Sequence, residues 1–203
     1  MVKQHEEKDY VEYAANGTPV DCVKLGLKVA LSEKPDLLVS GINHGSNATI
    51  NVIYSGTMAA VIEGCMSRIL PLGFHWTTIL IPPILSLRSP FIRRIVEHAL
   101  KWIPEATCLN VNIPAVDHKD IQGIRICRQG VGYWDERFDL RTDPRKREYF
   151  WLTGEYISLD EFDDTDEWAL RNNYVAVVPV KFDLTDYEAM NHFKVLTDNE
   201  KMA

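Results

Sequence analysis

The chain predicts an α/β protein built on a mainly parallel sheet, with a β-hairpin extension toward its C-terminus. Two observations carry the first half of that expectation. Short apolar runs alternate with amphipathic stretches from Val20 to Cys127, the order that a parallel sheet with crossover helices requires. The run Leu37-Leu38-Val39 is continuously apolar, as strands buried on both faces are. The hairpin rests on a change of character at Gly132, where Tyr133-Trp134 and Tyr149-Phe150-Trp151 flank the charged stretch Asp139 to Arg147.

In chain order, residues 1–9 suit a solvated tail or an exposed strand end, and Tyr10–Ala14 alternates as a short strand does. Thr18 can cap a helix whose first position is Pro19. That helix, Val20–Leu31, places Val23, Leu27, Ala30 and Leu31 on one side and is expected to pack on the sheet. Leu37–Ser40 is a buried strand, Thr57–Ser67 a helix of small residues, and Ile69–Phe74 the next strand. Ser89 with Pro90 opens a helix to Trp102, which Pro104 ends. Thr107–Ile113 and Ile121–Cys127 read as strands, with Asn110 and Asn112 sharing one face of the first. The acidic run Asp160–Asp166 suits an exposed loop, since it lacks the spacing and glycine of a calcium loop. Thr165 caps a short helix, Tyr174–Val178 is the final strand, and Thr185 caps a last helix from Asp186 to Val195.

Composition narrows the class. The 203 residues suffice for one sizeable domain. A net charge of −7 argues against a surface built to grip nucleic-acid phosphates. Cys22, Cys65, Cys108 and Cys127 are scattered without a CxxC pair, so buried free thiols and a reducing cytoplasm are expected. The polar N-terminus is no signal peptide, and the apolar run Thr77–Leu87 is too short to span a bilayer.

The chemistry concentrates in Pro35–Gly64. Asn43, Asn47 and Asn51 stand four apart, with Ser40, Ser46, Ser55 and Thr57 around them. Gly41, Gly45 and Gly56 allow backbone amides to face a ligand. Between a strand and a helix N-terminus, such a loop suits a phosphate or a hard cation. It equally suits an Asn/Gly turn whose amides bond the local backbone. It is neither a P-loop nor a GxGxxG fingerprint. His44 is a candidate acid, base or ligand, and His75, His98, His118 and His192 have less behind them.

Five segments in order resemble the SurE family of metal-dependent 5'/3'-nucleotidases. SGINHGSN at 40–47 with YSGTMAAVIEG at 54–64 is similar to the family's central motif. NGTPVDCVKL at 16–25, CLNVNIP at 108–114, YFWLTGE at 149–155 and NYVAVVP at 173–179 match its other segments. The resemblance implies a Rossmann-like sheet over residues 1–203, with 132–160 as a projecting oligomerisation hairpin. It implies a phosphomonoesterase of nucleoside monophosphates using Mg²⁺ or Mn²⁺, assembled as a homodimer or homotetramer. Family metal ligands are two aspartates of an NDDG loop, a serine, and the asparagine of SGxN, to which Asn43 corresponds. Gly41, Gly45, Asn47, Ser55, Gly56 and Thr57 map onto the phosphate neighbourhood. No catalytic residue is assigned.

Two departures qualify that expectation. NDDG and the ligand serine have no counterpart in the 203 residues. The chain therefore reads as lacking an N-terminal βαβ unit of roughly 30 residues or more. One neutral amide oxygen does not hold Mg²⁺, so the alternative is an inactive remnant that serves as a binding or assembly partner. Phe74–Arg88 is also apolar and basic where the family has a polar, acidic loop, which suggests a local frameshift.

Overall fold

The computed structural model describes residues 1–7, 10–77, 90–102 and 104–196. Its centre is a five-stranded sheet of β3 (Leu37–His44), β4 (Leu70–Trp76), β5 (Cys108–Ile113), β6 (Gly123–Ile126) and β9 (Tyr174–Val180). The order is β3-β4-β5-β9-β6, and every pairing is parallel except β5 with β9. Two antiparallel pairs stand apart from it: β1 (Val2–Glu6) with β2 (Val11–Ala14), and β7 (Gly132–Thr142) with β8 (Glu148–Ser158).

Strand alternation sorts the two faces. Leu72, Phe74 and Trp76 of β4, Val111 and Ile113 of β5, and Val175 and Val177 of β9 point one way. They meet Ile92, Ile95 and Ala99 of α4 (Pro90–Ala99). The opposite face takes α3 (Gly56–Met66) through Met58, Val61 and Cys65, and α5 (Asp166–Arg171) through Ala169. On that face β4 presents Pro71, Gly73 and His75. A Cβ on Gly73 would stand 2.7 Å from Met58 Sδ and 3.1 Å from Val61 Cγ2, so glycine is what lets α3 lie this close.

Helix α1 (Pro19–Leu25) is capped as expected, with Asp21 N–H donating to Thr18 Oγ1 and the Asp21 carboxylate accepting from Thr18 N–H. It continues as a π turn, Gly26–Ala30. The expectation that it packs on the sheet does not hold. Neither piece buries a residue, and α1 lies along α3 instead. The reason is topological: β3 is the sheet edge among the described residues, so no strand lies beneath α1. An open groove of about 470 Å³ remains between them, lined by Cys22, Val23, Leu38, Val39 and Ala60 among others.

Other differences are smaller. β3 runs past Ser40 to His44, because Asn43 and His44 keep pairing with His75 and Trp76 after a register shift. A one-turn helix, α2 (Asn51–Tyr54), precedes α3. β7 and β8 pair through Thr142 and Glu148, leaving only residues 143–147 as the turn. The last helix, α6 (Tyr187–Phe193), is capped by Asp186 rather than Thr185. Cys65, Cys108 and Cys127 are buried and free, and Cys22 is exposed. No helix among the described residues is long and apolar enough to cross a membrane. Most of the Phe74–Arg88 interval, and Ser89, lie outside the described residues.

Candidate functional site

The loop after β3 turns back over the carboxyl ends of β4 and β5, and its route is fixed by hydrogen bonds. Gly45 N–H donates to Trp76 C=O at 2.8 Å. Asn47 N–H donates to Asn112 Oδ1 at 2.8 Å, and Asn47 C=O accepts from Asn110 Nδ2 at 2.9 Å. Asn112 Nδ2 closes the ring by donating to Asn110 Oδ1 at 3.1 Å. Asn110 and Asn112 stand two apart on β5, so one face of the strand clamps both sides of the Asn47 peptide.

The Asn47 side chain points to α3. Its amide N–H groups face Ser55 Oγ and His75 Nδ1, the latter at 2.8 Å. Ser55 is the N-cap of α3, accepting from Met58 N–H at 3.0 Å. His75 is fully buried, and burial holds its imidazole down to about 4. It is therefore neutral near pH 7, able to accept the Asn47 proton and unsuited to act as a general acid there. Met58 N–H is capped, and among the described residues the N–H groups of Gly56 and Thr57 make no hydrogen bond, as the first N–H groups of a helix lack an intrahelical partner. Gly56 is exposed and Thr57 half-buried, so an anion can reach both.

The predicted residues thus divide. Gly45, Asn47, Ser55, Gly56 and Thr57 come together at the mouth of β3, β4 and β5. Gly41 and Asn43 lie on β3, the open edge, both exposed, with Gly41 lining the groove beside α1. The N–H groups of Gly45 and Asn47 are spent on Trp76 and Asn112. These two residues therefore shape the loop, and the free donors are one turn away. Sequence reasoning missed Asn110, Asn112 and His75 as parts of this network. The signal was available in the first two: amides at i and i+2 inside an apolar strand require buried partners. Neither Cys108 nor Cys127 offers a nucleophile, since burial pushes Cys127 up to about 11 and raises Cys108 as well.

The family model described as Survival protein SurE matches residues 1–136. The 5'-nucleotidase SurE of Flavobacterium psychrophilum is 47% identical over 186 residues, covering 91% of this chain and 72% of that protein. The chain belongs to the SurE family. The 5'-nucleotidase SurE of Christiangramia forsetii is 49% identical over 181 residues, covering 89% of this chain and 70% of that protein. The crystal structure of the SurE protein from Aquifex aeolicus superposes with a TM-score of 0.75 at 36% identity, covering 90% of this chain and 74% of that one.

The metal that the SurE resemblance implies does not fit the described residues alone. Asn43, the one residue here that the resemblance puts at the metal, offers a neutral amide oxygen, and its Nδ2 donates to His44 C=O at 3.1 Å. Among the described residues, no group of three His, Cys, Asp or Glu side chains could hold a metal ion. A hard divalent cation requires carboxylates to offset its dehydration.

Proposed function

We propose that this chain forms the phosphate-binding wall of a metal-dependent phosphomonoesterase that hydrolyses nucleoside 5'- and 3'-monophosphates. The carrying observation is the clamped Asn47 loop, which presents the open N–H groups of Gly56 and Thr57 at the carboxyl ends of three parallel strands. That is where open α/β sheets bind ligands, and the relatives named 5'-nucleotidase SurE support the substrate class. In this reading the chain's own residues bind and orient the phosphoryl group, and Asn43 contributes one metal ligand. A second reading, an assembly partner without turnover, is favoured by the lone, neutral character of that ligand.

Phosphate release from a nucleoside 5'-monophosphate with Mn²⁺ separates the two. The 203-residue chain is expected to show near-background turnover. A chain extended upstream with an NDDG-bearing segment is expected to gain on the order of 10²-fold or more, the contribution of a bound Lewis acid and its activated water. Asn43→Ala in the extended chain should weaken metal dependence, and an unchanged metal titration would remove Asn43 from the site. Turnover by the unextended chain equal to that of an intact relative would overturn the division into two walls.

We further propose that 1–203 acts as one domain and that the hairpin, within 132–160, assembles the protein into a homodimer or homotetramer, in a cytoplasmic setting. Pairing of Phe138 with Leu152 and Leu140 with Phe150 makes one apolar hairpin face. All four are more than half exposed, Phe150 at 69%. An isolated two-stranded ribbon is marginal in water and gains by covering such a face. Phe138→Asp with Phe150→Asp should yield monomers by light scattering, while retention of the assembled mass would exclude this face.

A further inference from the structure

One buried carboxylate has no part in the site as drawn above. Asp166 opens α5 at 1% exposure, and among the described residues it forms no salt bridge. A buried carboxylate without a cation persists only where hydrogen bonds hold its charge. Here backbone N–H groups from three chain segments do so. Oδ2 accepts from Thr49 at 2.8 Å, and Oδ1 accepts from Gly130 and Glu167, each at 2.9 Å. Burial pushes its pKa above the ordinary carboxylate value, and the N–H donors offset only part of that rise.

The donor that matters is Thr49. It is 2% exposed and sits at φ 59°, a conformation that a β-branched residue holds only when its surroundings impose it. Thr49 stands two residues after Asn47 and two before Asn51, which begins the turn leading to Ser55. Its backbone therefore sets how the clamped peptide connects to the start of α3. The packing supports a tight junction: a Cβ on Gly130 would lie 3.1 Å from Asp166 Oδ1 and 3.3 Å from Thr49 Cγ2. A second tether runs from the same region, where Trp134 Nε1 donates to Asn51 Oδ1 at 2.8 Å.

We propose that Asp166 is a positioning residue for the phosphate loop, holding Thr49 in its left-handed conformation and through it Asn47 and Ser55. The proposal rests on the phosphate reading of residues 45–57, and its tests distinguish the two. Asp166→Asn keeps one acceptor oxygen for Gly130 and Glu167 and sets an NH₂ group against the Thr49 N–H. Amide hydrogen exchange across residues 47–55 should then quicken at least ten-fold, with β4 and β5 unchanged. Titration with inorganic phosphate, followed by amide shifts, should show at least five-fold weaker binding. Adding Thr49→Gly should restore much of that binding, because glycine adopts φ near 60° without a Cβ. A role confined to α5 or to general stability would give no such rescue from a position in a distant segment. Unchanged loop exchange, or exchange that rises equally in β4 and β5, overturns the proposal. If Asp166→Asn does not fold, the unmutated protein still decides: a Thr49 amide that exchanges as freely as an exposed loop overturns it, and a protected one upholds it. If phosphate leaves the unmutated loop unperturbed, the phosphate reading falls, while the exchange comparison still tests Asp166.

Discussion

Acidification from pH 6.5 to 4 should cost this protein about 3 kcal/mol of stability through His75 alone. The imidazole is fully buried, with its pKa lowered from 6.5 to about 4 by burial. Each unit of that gap corresponds to about 1.4 kcal/mol. Above pH 6.5 both folded and unfolded chains hold neutral imidazole, and the contribution is complete. Between the two values the unfolded chain takes up a proton that the folded chain refuses, so stability falls as pH falls. Below about 4 both states are protonated and the loss is finished. Urea unfolding at a series of pH values, compared with His75→Gln, isolates the effect. Glutamine keeps an acceptor for the Asn47 amide and does not titrate. Carboxylates titrate alike in both proteins, so their difference should carry the slope; parallel pH profiles would show that His75 is not its source.

Much of the fold was legible because local patterns decided it. The Thr18-Pro19-Asp21 start of α1 follows from side chains within one turn, and the structure reproduces its cap. The helix seated on the sheet was misread for α1 because periodicity gives a helix its apolar side without saying whether a strand lies under it. At the hairpin, Asp139 to Arg147 looked like a loop by charge. Alternation instead sends Arg137, Asp139 and Arg141 to one face and Phe138 and Leu140 to the other. Asp143 then clasps the real turn by accepting from Arg145 and Arg147 N–H.

The candidate site divides along the same line. Asn47, Ser55, Gly56 and Thr57 were legible from one contiguous loop between strand and helix. Asp166 was read as the exposed end of an acidic run, yet its burial depends on the N–H of Thr49, 117 positions away. Asp160 in that run is also mostly covered, with 7% of its side chain exposed and Arg128 as its ion-pair partner. His75 is invisible for a related reason: its neutral state follows from α3 closing over it, and no neighbour in sequence announces that.

Asn112→Leu should destabilise the protein by about 3–4 kcal/mol, and adding Asn110→Leu should cost little more. Asn112 is fully buried and Asn110 is 1% exposed, so neither can turn to water for a partner. Removing Asn112 orphans the Asn47 N–H and Asn110 Oδ1. Removing Asn110 orphans the Asn47 C=O and Asn112 Nδ2. Each buried orphan costs about 1–3 kcal/mol, partly offset by the apolar volume of leucine. The double variant has two orphans as well, the N–H and C=O of Asn47, because each remaining amide group has gone with its partner. The two single costs should therefore sum to about twice the double cost, a coupling larger than most adjacent pairs show. A double-mutant cycle by chemical denaturation measures this directly. Additive costs would mean that the two amides act separately, and the closed ring around Asn47 would then not be what holds the loop over α3.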